Sequence, residues 1–140
     1  MSSTGTILRT AAQLYAYYGH HNGPHFAGFD GRLDPVAAIF RAITGHTPHC
    51  FIDDDDIALL LITTNAPAMD AIRALSAVLP TEPPLTDGVV DHIEHISDLT
   101  AYAALGQPPA TPDVVLGNFA RAAQAADTLA SLPTQRPHAA

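Results

Sequence analysis

Lysine and tryptophan are absent from this 140-residue chain, cysteine occurs once, and the longest unbroken apolar run is Ile57 to Ile62. Each shortage excludes something. Without lysine, six arginines carry all the fixed positive charge against fourteen Asp and Glu, and the net charge is −8. Nucleic-acid affinity rests largely on cations that neutralise phosphates, so nucleic acid is not an expected partner. The single Cys50 excludes an internal disulfide framework and suits a reducing cytoplasm. The apolar run falls far short of the ~20 residues that cross a bilayer, so no membrane partner is expected. Met1 to Thr6 lacks a basic stretch followed by an apolar one, from which we expect no secretory signal and a cytoplasmic location.

What remains is a folding composition. Hydrophobic residues make up 47% of the chain, too many for a disordered segment. Spacing and punctuation predict an all-α fold, a compact bundle of about five to six helices. At most one short β-hairpin is expected, near residues 25–33, around Asp30-Gly31. Apolar residues recur at three and four from Ile7 to Tyr18, and Gly19 stops that helix. Asp34-Pro35 reads as a cap and first helical residue before Val36, Ile39, Phe40 and Ile43, with Gly45 as the stop. The Asp53 to Asp56 run would cap a helix through Ile57 to Ile62, a stretch whose period alone does not separate helix from strand. Pro67 can open a helix bearing Met69, Ile72, Leu75 and Leu79. Pro80 to Gly88 reads as the main break, Val89 to Ile96 as a short helix, and Ser97-Asp98 as the cap of another through Leu105. Thr111-Pro112-Asp113 starts a last helix that runs to about Ser131. The domain organisation expected is a flexible start at 1–5, one helical domain at 6–132 and a flexible tail at 133–140.

This order of pieces resembles a small helical bacterial domain family of unknown function from high-GC genomes. The pieces that carry the likeness are Ile7 to Tyr18, Gly19 to Gly23, Asp30-Gly31-Arg32, Val36 to Gly45, Ile96-Ser97-Asp98 and Pro109 to Ala126. Together they span about Thr6 to Ala126. The chain departs from the family's pattern in having no tryptophan and in placing His20 where an aromatic is expected. The resemblance implies the helical arrangement and brings no catalytic assignment.

Histidine is the enriched chemical residue, with eight in the chain. Seven fall in three clusters: His20, His21 and His25; His46 and His49 beside Cys50; His92 and His95. Zinc accepts imidazole, thiolate and carboxylate, so these are the candidate metal ligands. His92 and His95 would share one helical face, near Asp91 and Glu94. Neither a paired Cys-x-x-Cys nor a His-Glu-x-x-His is present, and surface or capping histidines are the preferred reading. The consecutive Asp53 to Asp56 lack the alternation and turn glycine of a calcium loop, and read as a solvated helix start. Cys50 with His46 or His49 could form a nucleophile pair, against which a half-buried structural thiol is favoured. Tyr15 and Tyr18 fit a buried stripe while Tyr17 faces elsewhere; Arg41 and Arg73 fall on polar faces and are expected to be solvated.

No catalytic residue is assigned, and no cofactor is expected unless zinc binds. The leading expectation is a non-catalytic protein-interaction or regulatory module with a protein partner. The first rival is a histidine-rich metal-binding protein or metal-dependent hydrolase. The second is a cofactor-free enzyme of specialised metabolism that uses a His–Asp pair as acid and base.

Overall fold

The structure, a computed structural model, describes residues 2–101 and 109–133. Among them are seven helices: α1 (Thr4–Tyr18), α2 (Pro35–Thr44), α3 (Cys50–Asp53), α4 (Asp55–Thr63), α5 (Ala66–Ala77), α6 (His92–Ala101) and α7 (Pro112–Ser131). One antiparallel hairpin, β1 (Leu85–Thr86) and β2 (Val89–Val90), lies between α5 and α6. The fold is all-α, as the spacing predicted.

The caps explain where the helices begin. Side chains of Ser3, Asp34, Asp54, Asn65 and Thr111 each accept a backbone N–H from the first turn of the helix that follows. These oxygens satisfy amides that have no partner within the helix. Of the four consecutive aspartates, Asp54 is the cap, and the run Ile57 to Ile62 is helical. Helix α1 starts at Thr4, ahead of the expected Thr6, because Ser3 supplies a cap that hydrophobic spacing does not reveal.

Helix α1 lies at the centre and packs chiefly on α7 and α2. Its buried face, with Leu8, Ala11 and Tyr15, meets Phe119 of α7. Gly5 is needed for that approach, since a Cβ there would sit 2.0 Å from Asp127 Oδ1. Phe51 closes the other end of the core against Phe26 and Phe40.

Three expectations are corrected. The hairpin near residues 25–33 does not form a ladder: only isolated bridges join Leu33 to Ala27 and to His20. The Asp30-Gly31 turn is made, with Gly31 N donating to Gly28 O at 3.1 Å, but the amides of Phe26 and Ala27 donate to Phe51 O instead of to a partner strand. The hairpin forms at the second Asp-Gly pair, where Asp87 (φ 52°) and Gly88 (φ 78°) supply the two left-handed residues a tight turn needs. Consequently Val89 and Val90 are strand, and the two short helices expected over 89–105 are replaced by α6, capped by Asp91, whose Oδ1 accepts Glu94 N–H at 2.9 Å. The expected end of that segment at Leu105 lies outside the described residues, as does residues 134–140 of the expected tail. Finally, Arg41, expected to be solvated, is half-buried: it donates to Tyr18 Oη at 2.9 Å and lies over the Tyr18 ring.

Candidate functional site

The structure scatters the three histidine clusters. Tyr15 Oη and His20 Nδ1 share a hydrogen bond. Burial, with the Asp34 charge adding to it, holds the tyrosine well above its ordinary value, while burial and then the neighbouring His21 and Arg32 hold His20 below its own. His46 contacts only the end of α2, Thr44 O, at 3.3 Å. His49 pairs with Asp53 at 3.1 Å on the surface. Cys50 is half-buried, and burial followed by the Asp54 and Asp53 charges pushes its thiol up, away from the reactive thiolate. Among the described residues no three His, Cys, Asp or Glu side chains are placed to hold a metal ion together. His92 and His95 do share a face, and both turn to a hydroxyl.

That hydroxyl is Ser76 of α5, which no motif in the sequence marked. Ser76 Oγ lies 2.7 Å from His95 Nδ1 and 2.9 Å from His92 Nδ1, and Thr81 Oγ1 lies 2.8 Å from His95 Nε2. A hydroxyl carries one proton, so Ser76 donates to one imidazole and accepts from the other. Burial keeps His95 below its ordinary histidine value. Ser76 and His95 are both buried, and the network joins α5 to α6.

The accessible chemistry lies under the loop from His20 to Leu33. A concavity of about 450 Å3 is lined by His21, Pro24, His25, Gly28, Phe29, Asp30 and Ile52 among others. His25 has a left-handed backbone (φ 71°), a conformation uncommon for a side chain with a Cβ. Its Nδ1 is tied to Asp55 Oδ1 of α4 at 2.8 Å. His21 Nε2 is tied to Pro24 O at 2.8 Å. Carbonyl and carboxylate oxygens only accept, so each tied nitrogen carries a proton, and in a neutral imidazole the other nitrogen presents a lone pair. A Cβ on Gly28 would meet Asp30 Oδ1 at 2.6 Å and His21 Nδ1 at 3.1 Å, so glycine is what lets both polar groups close over this backbone.

Asp55 connects this concavity to α4, whose composition reverses the usual pattern. Only Ala58 and Ile62 face the core. The outward positions, where a surface helix ordinarily carries polar groups, hold Ile57, Leu60 and Leu61 at i, i+3 and i+4, exposed by 50%, 62% and 38%. Leu59 is also exposed. Phe29, at the rim of the concavity, is 85% exposed. The uniform apolar run that left helix and strand unresolved was itself the sign of this surface.

A second concavity, about 430 Å3, lies between the start of α1, α5 and α7, and alanine is the commonest residue in its wall. Its charged rim is internally paired, Arg9 with Asp127 at 2.7 Å and Arg73 with Asp70 at 3.5 Å. No helix among the described residues is long and apolar enough to cross a membrane. No protein-family profile, curated protein or solved structure matches the chain.

Proposed function

We propose that this protein is a non-catalytic interaction module that docks a basic, amphipathic segment of a protein partner on α4. The single observation behind the reading is the outward apolar stripe Ile57, Leu60 and Leu61, directly after Asp53 to Asp56. These side chains expose apolar surface on one short helix, and an exposed apolar patch on a monomer tends to serve binding. The carboxylates at its rim select for positive charge, and a chain of net charge −8 steers such a partner from a distance. A second copy of this chain is the poorer occupant, since two chains of net charge −8 repel one another on approach. Kinship with the small helical family of high-GC bacteria belongs to the same proposal, supported by the order of elements alone.

Calorimetry with a short helical peptide, leucines on one face and arginines beside them, tests the reading. The peptide is expected to bind at micromolar concentration, and Leu60→Glu to weaken binding by at least about ten-fold. The same leucines flanked by glutamates should not bind. Equal binding to wild type and Leu60→Glu, or to basic and acidic peptides, overturns it.

The metal-dependent rival finds no support in the scattered histidines. The enzyme rival has two exposed His–Asp pairs in its favour, His49–Asp53 at 3.1 Å and, beside the concavity, His25–Asp55 at 2.8 Å. The latter pair orients an imidazole, but no nucleophile stands within reach of it among the described contacts.

A further inference from the structure

We propose that the concavity beneath the 20–33 loop is a pocket for one arginine side chain of the docked segment. The inference rests on the docking reading above and names the anchor that gives it register. The lining offers acceptors. In their neutral forms His21 and His25 donate to Pro24 O and Asp55, and His21 Nδ1 and His25 Nε2 then carry lone pairs. Asp30 adds a carboxylate: Oδ1 already accepts the Arg32 amide at 3.1 Å and Oδ2 lies 3.3 Å from Arg32 Nε. A carboxylate has about four lone-pair positions, and an exposed pair of this kind is weak, so capacity remains for another donor.

The ligand must therefore be rich in donors and lack acceptors. It must also tolerate walls made of Pro24, Ile52 and Phe29. A guanidinium meets all three demands: it has five N–H donors, no acceptor, and a planar face that stacks on an aromatic ring. Phe29 supplies that ring, and its 85% exposure otherwise wastes a large apolar side chain on solvent. Position agrees with chemistry. Asp55, which orients His25, stands in the first turn of α4, and Leu59 follows one helical turn later. The pocket thus adjoins the first turn of α4, and a segment that crosses that turn from the Ile57, Leu60 and Leu61 stripe reaches it with a side chain. The left-handed backbone of His25 is what turns its imidazole into this lining, and the Asp55 contact holds it there.

The experiment is an NMR titration with N-acetyl-arginine amide, and with N-acetyl-citrulline amide as the neutral isostere. Amide shifts are expected at His25 and from Ala27 to Asp30, with millimolar affinity, for the arginine compound alone. Phe29→Ala, which removes only exposed surface, should weaken binding by about five-fold. Asp30→Asn, which keeps the turn contact, should weaken it comparably. Equal shifts with citrulline amide, no shifts at these residues, or unchanged affinity in Phe29→Ala overturns the pocket. If the leucine–arginine peptide still binds and still loses affinity in Leu60→Glu, that failure leaves docking on α4 standing. If arginine amide binds here and the peptide does not depend on Leu60, the pocket survives and the docking reading falls.

Discussion

Ser76→Ala removes one oxygen and strands two imidazoles. In the folded chain Ser76 Oγ bonds His95 Nδ1 at 2.7 Å and His92 Nδ1 at 2.9 Å, and His95 is only 3% exposed. Water cannot replace the lost partner of His95, so the cost is the desolvation penalty of an orphaned polar atom, ~1–3 kcal/mol. His92 is half-buried and recovers part of its loss from solvent. A destabilisation of about 2 kcal/mol follows, which for a chain of this size lowers Tm by roughly 6 °C. Urea unfolding followed by far-UV circular dichroism measures it. The network also fixes a sign with pH. Burial holds folded His95 below its ordinary value, so the unfolded chain takes up the proton first as pH falls. Stability is therefore full above ~6.5 and declines as pH drops through and below it. Pairing Ser76→Ala with His95→Leu removes both sides of the buried bond, and the double variant should lose less than the sum of its singles by about 1 kcal/mol. Strict additivity, or a Ser76→Ala loss under ~0.5 kcal/mol, refutes the view that this hydroxyl binds α5 to α6.

Three further outcomes are expected. Asp34 is buried, and although the Ala37 and Val36 amides oppose it, burial pushes its carboxyl up to about 8; ionisation thus favours the unfolded chain, and the cost grows as pH rises from ~4 toward that value. Asp34→Asn keeps the cap and drops the charge, so it should gain on wild type by a few kcal/mol between pH 4 and 9 in denaturant titrations; a variant that instead loses ground as pH rises contradicts this. Gly28→Ala should shift the amide resonances of His21 and Asp30, because its Cβ lies 2.6 Å from Asp30 Oδ1 and 3.1 Å from His21 Nδ1; an unchanged spectrum there would show that the loop closes otherwise. With no lysine and a net charge of −8, the protein should leave generic duplex DNA unshifted in a gel at physiological salt, and a salt-sensitive submicromolar shift would refute that.

The helices were legible because their signals are local. Asp34-Pro35, Thr111-Pro112 and the glycine stops act within a turn, and each works as residue chemistry dictates. The hairpin was misplaced for a reason outside local chemistry. Both Asp-Gly pairs make turns, and what separates them is a long-range partner: Phe51 O takes the amides of Phe26 and Ala27, which a ladder at 25–33 would need. Nothing near residue 26 in sequence announces residue 51. The candidate surface was half legible. The apolar run of α4 stood out, but which of its residues face outward depends on Ala58 and Ile62 being the pair that meets the core. Adjacency of histidines in sequence is not convergence in space: His20, His21 and His25 each turn to a different oxygen. Ser76 carried one weak signal. It falls four residues after Ile72 and one after Leu75, on the apolar face of α5, where a hydroxyl needs a buried partner.

The central claim is that partners dock on α4 with an arginine in the adjacent pocket. Amide hydrogen exchange, read by mass spectrometry with and without a saturating leucine–arginine helical peptide, tests it most directly. The account predicts added protection confined to residues 25–30 and 55–63, absent with the glutamate-flanked peptide and lost in Leu60→Glu. Protection instead between the start of α1, α5 and α7, along the second concavity, would contradict it and move the interaction to the opposite pairing of helices.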